Sequence, residues 1–426
     1  MTKTIYQITE YGSFIAGRQV NGYTTLPPAT FEQLENFILS NTTSNDTQTT
    51  DALELMSISV KRGIGKIITA KNYIGVLTFN DGTTIEILPK IVSTVPESSK
   101  RVKKLVVDMI RSLTNVSYKS LQVANVDIEK MPLLDIFIRM FLDEVFRLVK
   151  HGLRSCYETI AENRSFFKGK ILFSEQIKHN FSHKERAFTE FDEFTPNCPE
   201  NRLVKSTLML LYKQTHSSRN KTDIKTLLAA FDHVPHSTDY ADDFSKVKKA
   251  YGTLLLWCQI FLTDKSFTSF SGSGVAFALL FPMEILFERY VAVQLKKVLP
   301  AEAFSISIQD KTHYLFLLPS KKFLLRPDIV ITRKCDNAIF ICDTKWKLLS
   351  SRTANLGISQ SDMYQMFAYQ KKYNAKKITM LYPITDQTTS VTGVQFDSGD
   401  GVIVRVQFID LFDIKNSLLE LFHYLN

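Results

Sequence analysis

Apolar and polar positions change their period three times along the chain. In the first hundred residues the runs YIGVLTF and TTIEILPKI flank Asn80-Asp81-Gly82, a pattern that predicts an antiparallel hairpin, because glycine tolerates the positive φ of a tight turn. Ahead of it, SNTTSNDTQTTD has twelve polar residues and no apolar anchor, and reads as a mobile loop. From about 100 to 275 the helical period takes over. LLDIFIRMFLDEVFRLVKHGL is apolar around most of its circumference, as a buried or partner-covered helix would be. Within this region, residues 154–195 break into short basic and aromatic stretches such as RSFFKGKILF and KHNFSHKERAF. From 276 onward, a helix MEILFERYVAVQL, apolar runs LLRPDIVI and AIFICDTKW, a helix SDMYQMFAYQKKY, strands ITMLYPI and VIVRVQFIDL and a closing helix NSLLELFHYL follow in order. The chain is therefore expected to be a multidomain α/β protein: a β-rich domain over 1–99, a mostly helical region over 100–275 and an α/β core over 276–426.

Chemistry concentrates in residues 324–347. The two apolar runs are separated by the turn-prone RKCDNA, so they fold into a hairpin whose turn centres near Asp336, and Asp328 comes to face Asp343. Opposed residues on paired strands have Cβ atoms about 5 Å apart, near enough for two carboxylates to share a divalent cation. Lys345, two residues beyond Asp343, projects to the same face. A lone Asp-x-Lys in a strand is commonly just an exposed face. Here the strand is otherwise apolar, and two carboxylates on it repel and lose hydration unless an ion such as Mg2+ relieves both penalties. A water so activated attacks a phosphodiester, with the Lys345 ammonium orienting it or stabilising the developing charge.

Pro327-Asp328 followed by Asp343-Thr344-Lys345 resembles the PD-(D/E)xK nuclease superfamily. The resemblance implies a restriction-endonuclease-like α/β core over 276–426, Mg2+ as cofactor with Mn2+ able to substitute, and a further acid from the preceding helix. Glu284 and Glu288 are both offered there, four apart on one face, and Glu288 is the choice because it lies deeper in the helix beside Tyr290. Gln365-x-x-x-Tyr369 is similar to the motif of RecB-type nucleases, which implies DNA contact or bracing of the metal site.

FKGKILFSEQIKHN, with Lys168-Gly169-Lys170-Ile171, and TEFDEFTPNCPENRLVKSTLMLL, with Asn201-Arg202 entering a Leu-rich helix, resemble the McrC family, the nuclease subunit of McrBC-type restriction systems. With the three downstream motifs in the same order, the likeness runs from about 130 to the C-terminus. It implies a DNA endonuclease, active on double-stranded DNA in a GTP-dependent, modified-cytosine-type complex, whose middle region binds and stimulates an McrB-like AAA+ GTPase hexamer. Arg154, Arg164, Lys168 or Lys170 is then expected to reach the partner's nucleotide site. The alternatives are a nuclease-inactive activator of the ring and a free-standing RecB-like nuclease.

Composition narrows this further. Fifty-two basic against 43 acidic residues give +9, which favours a polyanionic partner. Lys61, Arg62, Lys66 and Lys71, with Gly63 and Gly65, form a basic loop able to meet phosphates, or simply solvated. Five scattered cysteines without a C-x-x-C, no signal-peptide core and no membrane-length apolar run point to a prokaryotic cytoplasmic protein without a membrane partner. No GxxxxGK[ST] loop occurs, so the chain itself is expected to bind no nucleotide. His179 and His183 lack an evident third ligand and read as surface histidines.

Overall fold

The computed structural model describes residues 4–42, 55–79, 81–91, 96–113, 131–247, 251–262, 265–266, 268–269, 275–350, 353–384 and 393–425. It is a mixed α/β structure with several sheets. By contact the chain divides into two compact units, Met1–Leu133 with Phe270–Asn426, and Leu134–Ser269. This grouping differs from the three consecutive segments read from the sequence, and the reason is one strand. Val275–Pro282 pairs antiparallel with Tyr73–Phe79, so residues just beyond the middle region complete the N-terminal sheet.

That sheet has four strands in the order Ile5–Thr9, Thr84–Leu88, Tyr73–Phe79, Val275–Pro282. Tyr73–Phe79 and Thr84–Leu88 form the hairpin expected around Asp81-Gly82, although Asn80 lies outside the described residues. Tyr73–Phe79 is buried along its whole length, which is why it reads as a near-continuous apolar run. Gly75 sits at φ 141°, and a Cβ there would lie 1.9 Å from the Leu279 carbonyl oxygen, so this strand crossing requires glycine. A second four-stranded sheet, Thr24–Leu26, Ser13–Ala16, Gly65–Ala70 and Met56–Lys61, shares its core with the helix Pro28–Thr42. The polar stretch expected to be a mobile loop lies, from residue 43 onward, outside the described residues.

The third sheet of this unit carries the hairpin of interest. Its six strands run in the order Phe304–Ile308, Ile329–Arg333, Ile339–Thr344, Lys377–Pro383, Ile403–Ile409, Val394–Asp397. The first three pair antiparallel, the next two join in parallel, and the last returns antiparallel. Val330, Ile341, Met380 and Val406 pack with Met366, Tyr369 and Tyr373 of the helix Gln360–Tyr373. Alternation sends Phe340 and Cys342 to the other face, where they are fully buried. The helix Met283–Val298 packs against the same strand, with Leu286, Phe287, Val291 and Leu295 buried. The closing helix Ile414–Leu425 packs on that helix and on Ile403–Ile409.

The second unit is mostly helical, and its basic and aromatic stretch is a β-ribbon. Cys156–Arg164 pairs antiparallel with Ala187–Thr195 along nine residues, and Lys170–Ile171 adds to the free edge of the latter. Leu133–His151 opens the helical part, with Phe137, Ile138, Phe141, Leu142 and Val145 buried. Among the described residues, no helix is long and apolar enough to cross a membrane.

Candidate functional site

The hairpin register runs Ile329↔Cys342, Val330↔Ile341, Ile331↔Phe340, Thr332↔Ile339. Asp328 directly precedes the first pair, so the same register sets it opposite Asp343. Its Oδ2 accepts hydrogen bonds from the Thr344 backbone N–H at 2.8 Å and the Thr344 hydroxyl at 2.7 Å. The turn is closed by Asp336, which accepts from the Arg333 guanidinium at 2.7 Å and from the Ala338 N–H at 3.2 Å.

Glu288 comes to the same place from the helix Met283–Val298. The link is Gln309, whose side-chain amide donates to Glu288 Oε1 at 2.7 Å and lies 3.4 Å from Asp328 Oδ1. Gln309 follows the edge strand Phe304–Ile308 and takes φ 52°, and its own backbone N–H donates to the Asp328 carbonyl at 2.9 Å. Glu284 turns elsewhere and accepts from the Asn72 amide.

Asp343 is 1% exposed. The Lys345 Nζ stands 2.6 Å from its Oδ2, so the two form an ion pair at the buried carboxylate. Lys345 also donates to Gln365 Oε1 at 3.2 Å, and the Gln365 amide donates to the Tyr369 hydroxyl at 2.7 Å. Asp362 Oδ1 lies 4.0 Å from the same ammonium, while its other oxygen accepts from Lys347 at 2.8 Å. The structure thus brings Glu288, Asp328, Asp343, Lys345, Gln365 and Tyr369 into one cluster. Sequence reading missed Gln309, Thr344 and Asp362. Thr344 is the unread middle residue of the Asp-x-Lys motif, and Asp362 lies three before Gln365 on one helical face. Gln309 carries no motif and is recognisable only from the bend after its strand.

Burial sets the electrostatics. It pushes the Asp343 carboxyl up to about 7, with the Asp328 charge adding to the effect and Lys345 opposing it. Glu288 is likewise raised to about 7 by burial and then by Asp328. Asp328 is raised by burial against the Thr344 hydrogen bonds. Burial alone would lower Lys345, but Asp343 more than offsets it and holds the ammonium above its ordinary range. One residue on, Trp346 donates its indole N–H to Glu10 Oε2 at 2.9 Å, and burial lifts that carboxyl to about 8. The end of the Lys345 strand is thereby tied to the N-terminal sheet.

Glu288, Asp328 and Asp343 are desolvated carboxylates, and oxygen is the donor type a hard divalent cation takes. Among the described residues no three His, Cys, Asp or Glu side chains form a cage for a metal.

Of the four basic residues read from the middle region, three are engaged within their own unit. Arg154 pairs with the buried Glu200. Arg164 pairs with Glu162 and lies 4.4 Å above the Phe191 ring, which Lys168 also covers at 4.1 Å. Lys170 is exposed, opposite Glu190 in the ladder. Gly169 between them has φ 83°, and a Cβ there would lie 2.3 Å from the Glu190 oxygen, so the Lys-Gly-Lys sequence is fixed by backbone approach. Asn201 donates to the Arg154 and Pro196 carbonyls at 2.9 and 2.7 Å, and Arg202 pairs with Asp243, so this pair holds the root of the ribbon. In the N-terminal loop Lys66 pairs with Glu35. His179 and His183 each meet a neighbouring glutamate, Glu175 and Glu185.

A family model described as McrBC 5-methylcytosine restriction system component matches residues 68–383. Two solved structures are similar. One is a refined half-complex from a tetradecameric assembly of Thermococcus gammatolerans McrB AAA+ hexamers with bound McrC, with TM-score 0.68, 18% identity, 98% of this chain covered and 100% of that one. The other is a cryo-EM structure of the Thermococcus gammatolerans McrBC complex, with TM-score 0.51, 17% identity, 70% of this chain covered and 88% of that one. At these identities the likeness establishes the fold. No curated protein matches.

Proposed function

This chain belongs to the McrBC 5-methylcytosine restriction system component family, and from that premise we propose that it is the Mg2+-dependent, DNA-cutting subunit of such a complex, with a PD-(D/E)xK-type site. The observation that supports the reading most is the convergence of Asp328, Asp343, Glu288 and Lys345, with two of the acids raised to about 7. Asp328 and Asp343 hold the metal, and Glu288 completes or aligns the set. When bound, the ion supplies Lewis-acid polarisation of the phosphate and makes water a competent nucleophile at neutral pH.

The protein's own groups do the remaining work. Thr344 fixes one oxygen of Asp328 through two hydrogen bonds and leaves the other turned toward Gln309 and the site. Lys345, charged at neutral pH, stands where it orients the attacking water or meets negative charge developing on the phosphate. Gln365 holds that ammonium in place and is itself held by Tyr369.

The middle unit is the partner-binding part. Tyr157, Phe166, Phe167, Phe173, Phe181 and Phe194 are all exposed on the ribbon and the helix Phe173–Asn180 beside it. So much exposed aromatic surface calls for a covering partner, and a ring of McrB-like AAA+ GTPase subunits is the one we propose. Among the four basic residues, Lys168 and Lys170 have the exposure a contact with the partner's nucleotide site needs.

The test is reconstitution with the GTPase and a methylated duplex. Asp343→Ala should abolish cutting while GTP hydrolysis is still stimulated. Parent protein that stimulates GTP hydrolysis but never cuts would make it an activator alone. Cutting that needs no GTP or partner would make it a free-standing nuclease.

A further inference from the structure

Between the edge strand and Asp328 the chain leaves the sheet to form a small hairpin, Tyr314–Phe316 against Lys322–Leu324, paired Tyr314↔Leu324 and Phe316↔Lys322. Its base is anchored. The Leu325 N–H donates to the His313 carbonyl at 2.9 Å, the His313 ring lies 4.2 Å from that of Tyr373, and the Tyr373 hydroxyl donates to Asp310 at 2.9 Å. Three residues after Leu325 comes Asp328, so the hairpin is built onto the strand that carries the first carboxylate.

What it exposes is unusual for a connecting turn. Leu318 is 86% exposed, Leu317 61%, Phe323 70% and Phe316 53%. Phe323 holds φ 57°, a conformation a bulky residue rarely adopts, and its ring meets Phe316 edge-on at 6.0 Å. The surrounding sequence, residues 311–327, carries Lys311, Lys321, Lys322 and Arg326 and no acid.

We infer that this hairpin is a DNA wedge: Leu317 and Leu318 enter between base steps of the duplex beside the cleavage site, while Lys321 and Lys322 meet the flanking phosphates. The inference rests on the nuclease reading above and deepens it. Apolar side chains flanked by cations are the means by which proteins unstack and kink DNA from the minor groove. A protein partner accounts for the leucines but not for the lysines, which protein interfaces deplete. The hairpin also stands next in sequence to the carboxylates, where a kink would present the scissile phosphate.

The test uses the full-length chain in EDTA, where nothing is cut, with a duplex carrying 2-aminopurine to report unstacking and a second label to report binding. The parent should bind and raise 2-aminopurine fluorescence. Leu317→Ser/Leu318→Ser should lose the rise. Lys321→Gln/Lys322→Gln should keep it at saturation but lower the salt dependence of binding by about two phosphate contacts. Unchanged unstacking in the leucine variant overturns the proposal, as does a parent that binds no duplex. So does a leucine variant that binds and unstacks DNA normally but sediments as a smaller species, since the leucines would then contact a second copy. Failure of the nuclease reading looks different: unstacking persists with the parent, and no cleavage follows when Mg2+ and the partner are supplied.

Discussion

The carboxylate cluster and the β-ribbon of the middle unit treat charge in opposite ways. In the cluster, Asp343 is almost fully buried with Lys345 as its one ammonium, beside two further acids whose affinity for protons burial also raises. In the ribbon, Arg154 has Glu200, and Arg164 and Lys168 share the face of Phe191. The cluster is under electrostatic tension that a bound cation would relieve, whereas the ribbon's charges are already satisfied and its unmet demand is apolar. The difference teaches that the proposed chemistry falls where carboxylates are crowded and desolvated, and the proposed partner contact where aromatic rings are exposed.

The sharpest way to break that comparison is to neutralise one acid. Asp343→Asn should lower DNA cleavage on the order of a thousandfold or more, while the melting temperature at pH 8 stays level or rises, because a desolvated charge is removed. A fall in both would mean that the carboxylate supports the fold rather than the chemistry. Next in size is the pH dependence of metal affinity. Asp343 and Glu288 are raised to about 7, so below that pH they hold protons a cation must displace, and above it they do not. Calorimetric Mg2+ affinity should therefore drop by up to about tenfold per pH unit per displaced proton below 7 and level off above it. In the ribbon the expectation reverses. Arg154→Ala removes the counter-charge of a buried glutamate and should cost about 1–3 kcal/mol in denaturant unfolding, whereas Lys170→Ala should leave stability unchanged and show itself only in stimulation of the partner.

How far the sequence carried this picture differs between the same two regions. The hairpin was legible because strand alternation and a polar turn fix its register, and the register alone sets Asp328 against Asp343. Glu288 could be picked from its helix, but Gln309, which joins it to Asp328, could not. Its role depends on a left-handed bend and a contact between residues 21 positions apart, neither of which leaves a periodic trace. The ribbon was hidden for another reason. Its first strand has no buried position, and its second buries only Thr189 and Phe191, so the pattern of a buried strand never forms. The N-terminal and C-terminal parts looked separate because the strand that joins them, Val275–Pro282, lies nearly two hundred residues from its partner.

The central claim is that Asp328 and Asp343 hold one divalent ion between them. A Mn2+ titration of the full-length chain, followed by electron paramagnetic resonance, tests it directly. One saturable site that is lost in both Asp328→Asn and Asp343→Asn, and retained in Glu284→Gln, is the predicted result. Equal Mn2+ binding by the parent and the two aspartate variants would contradict it.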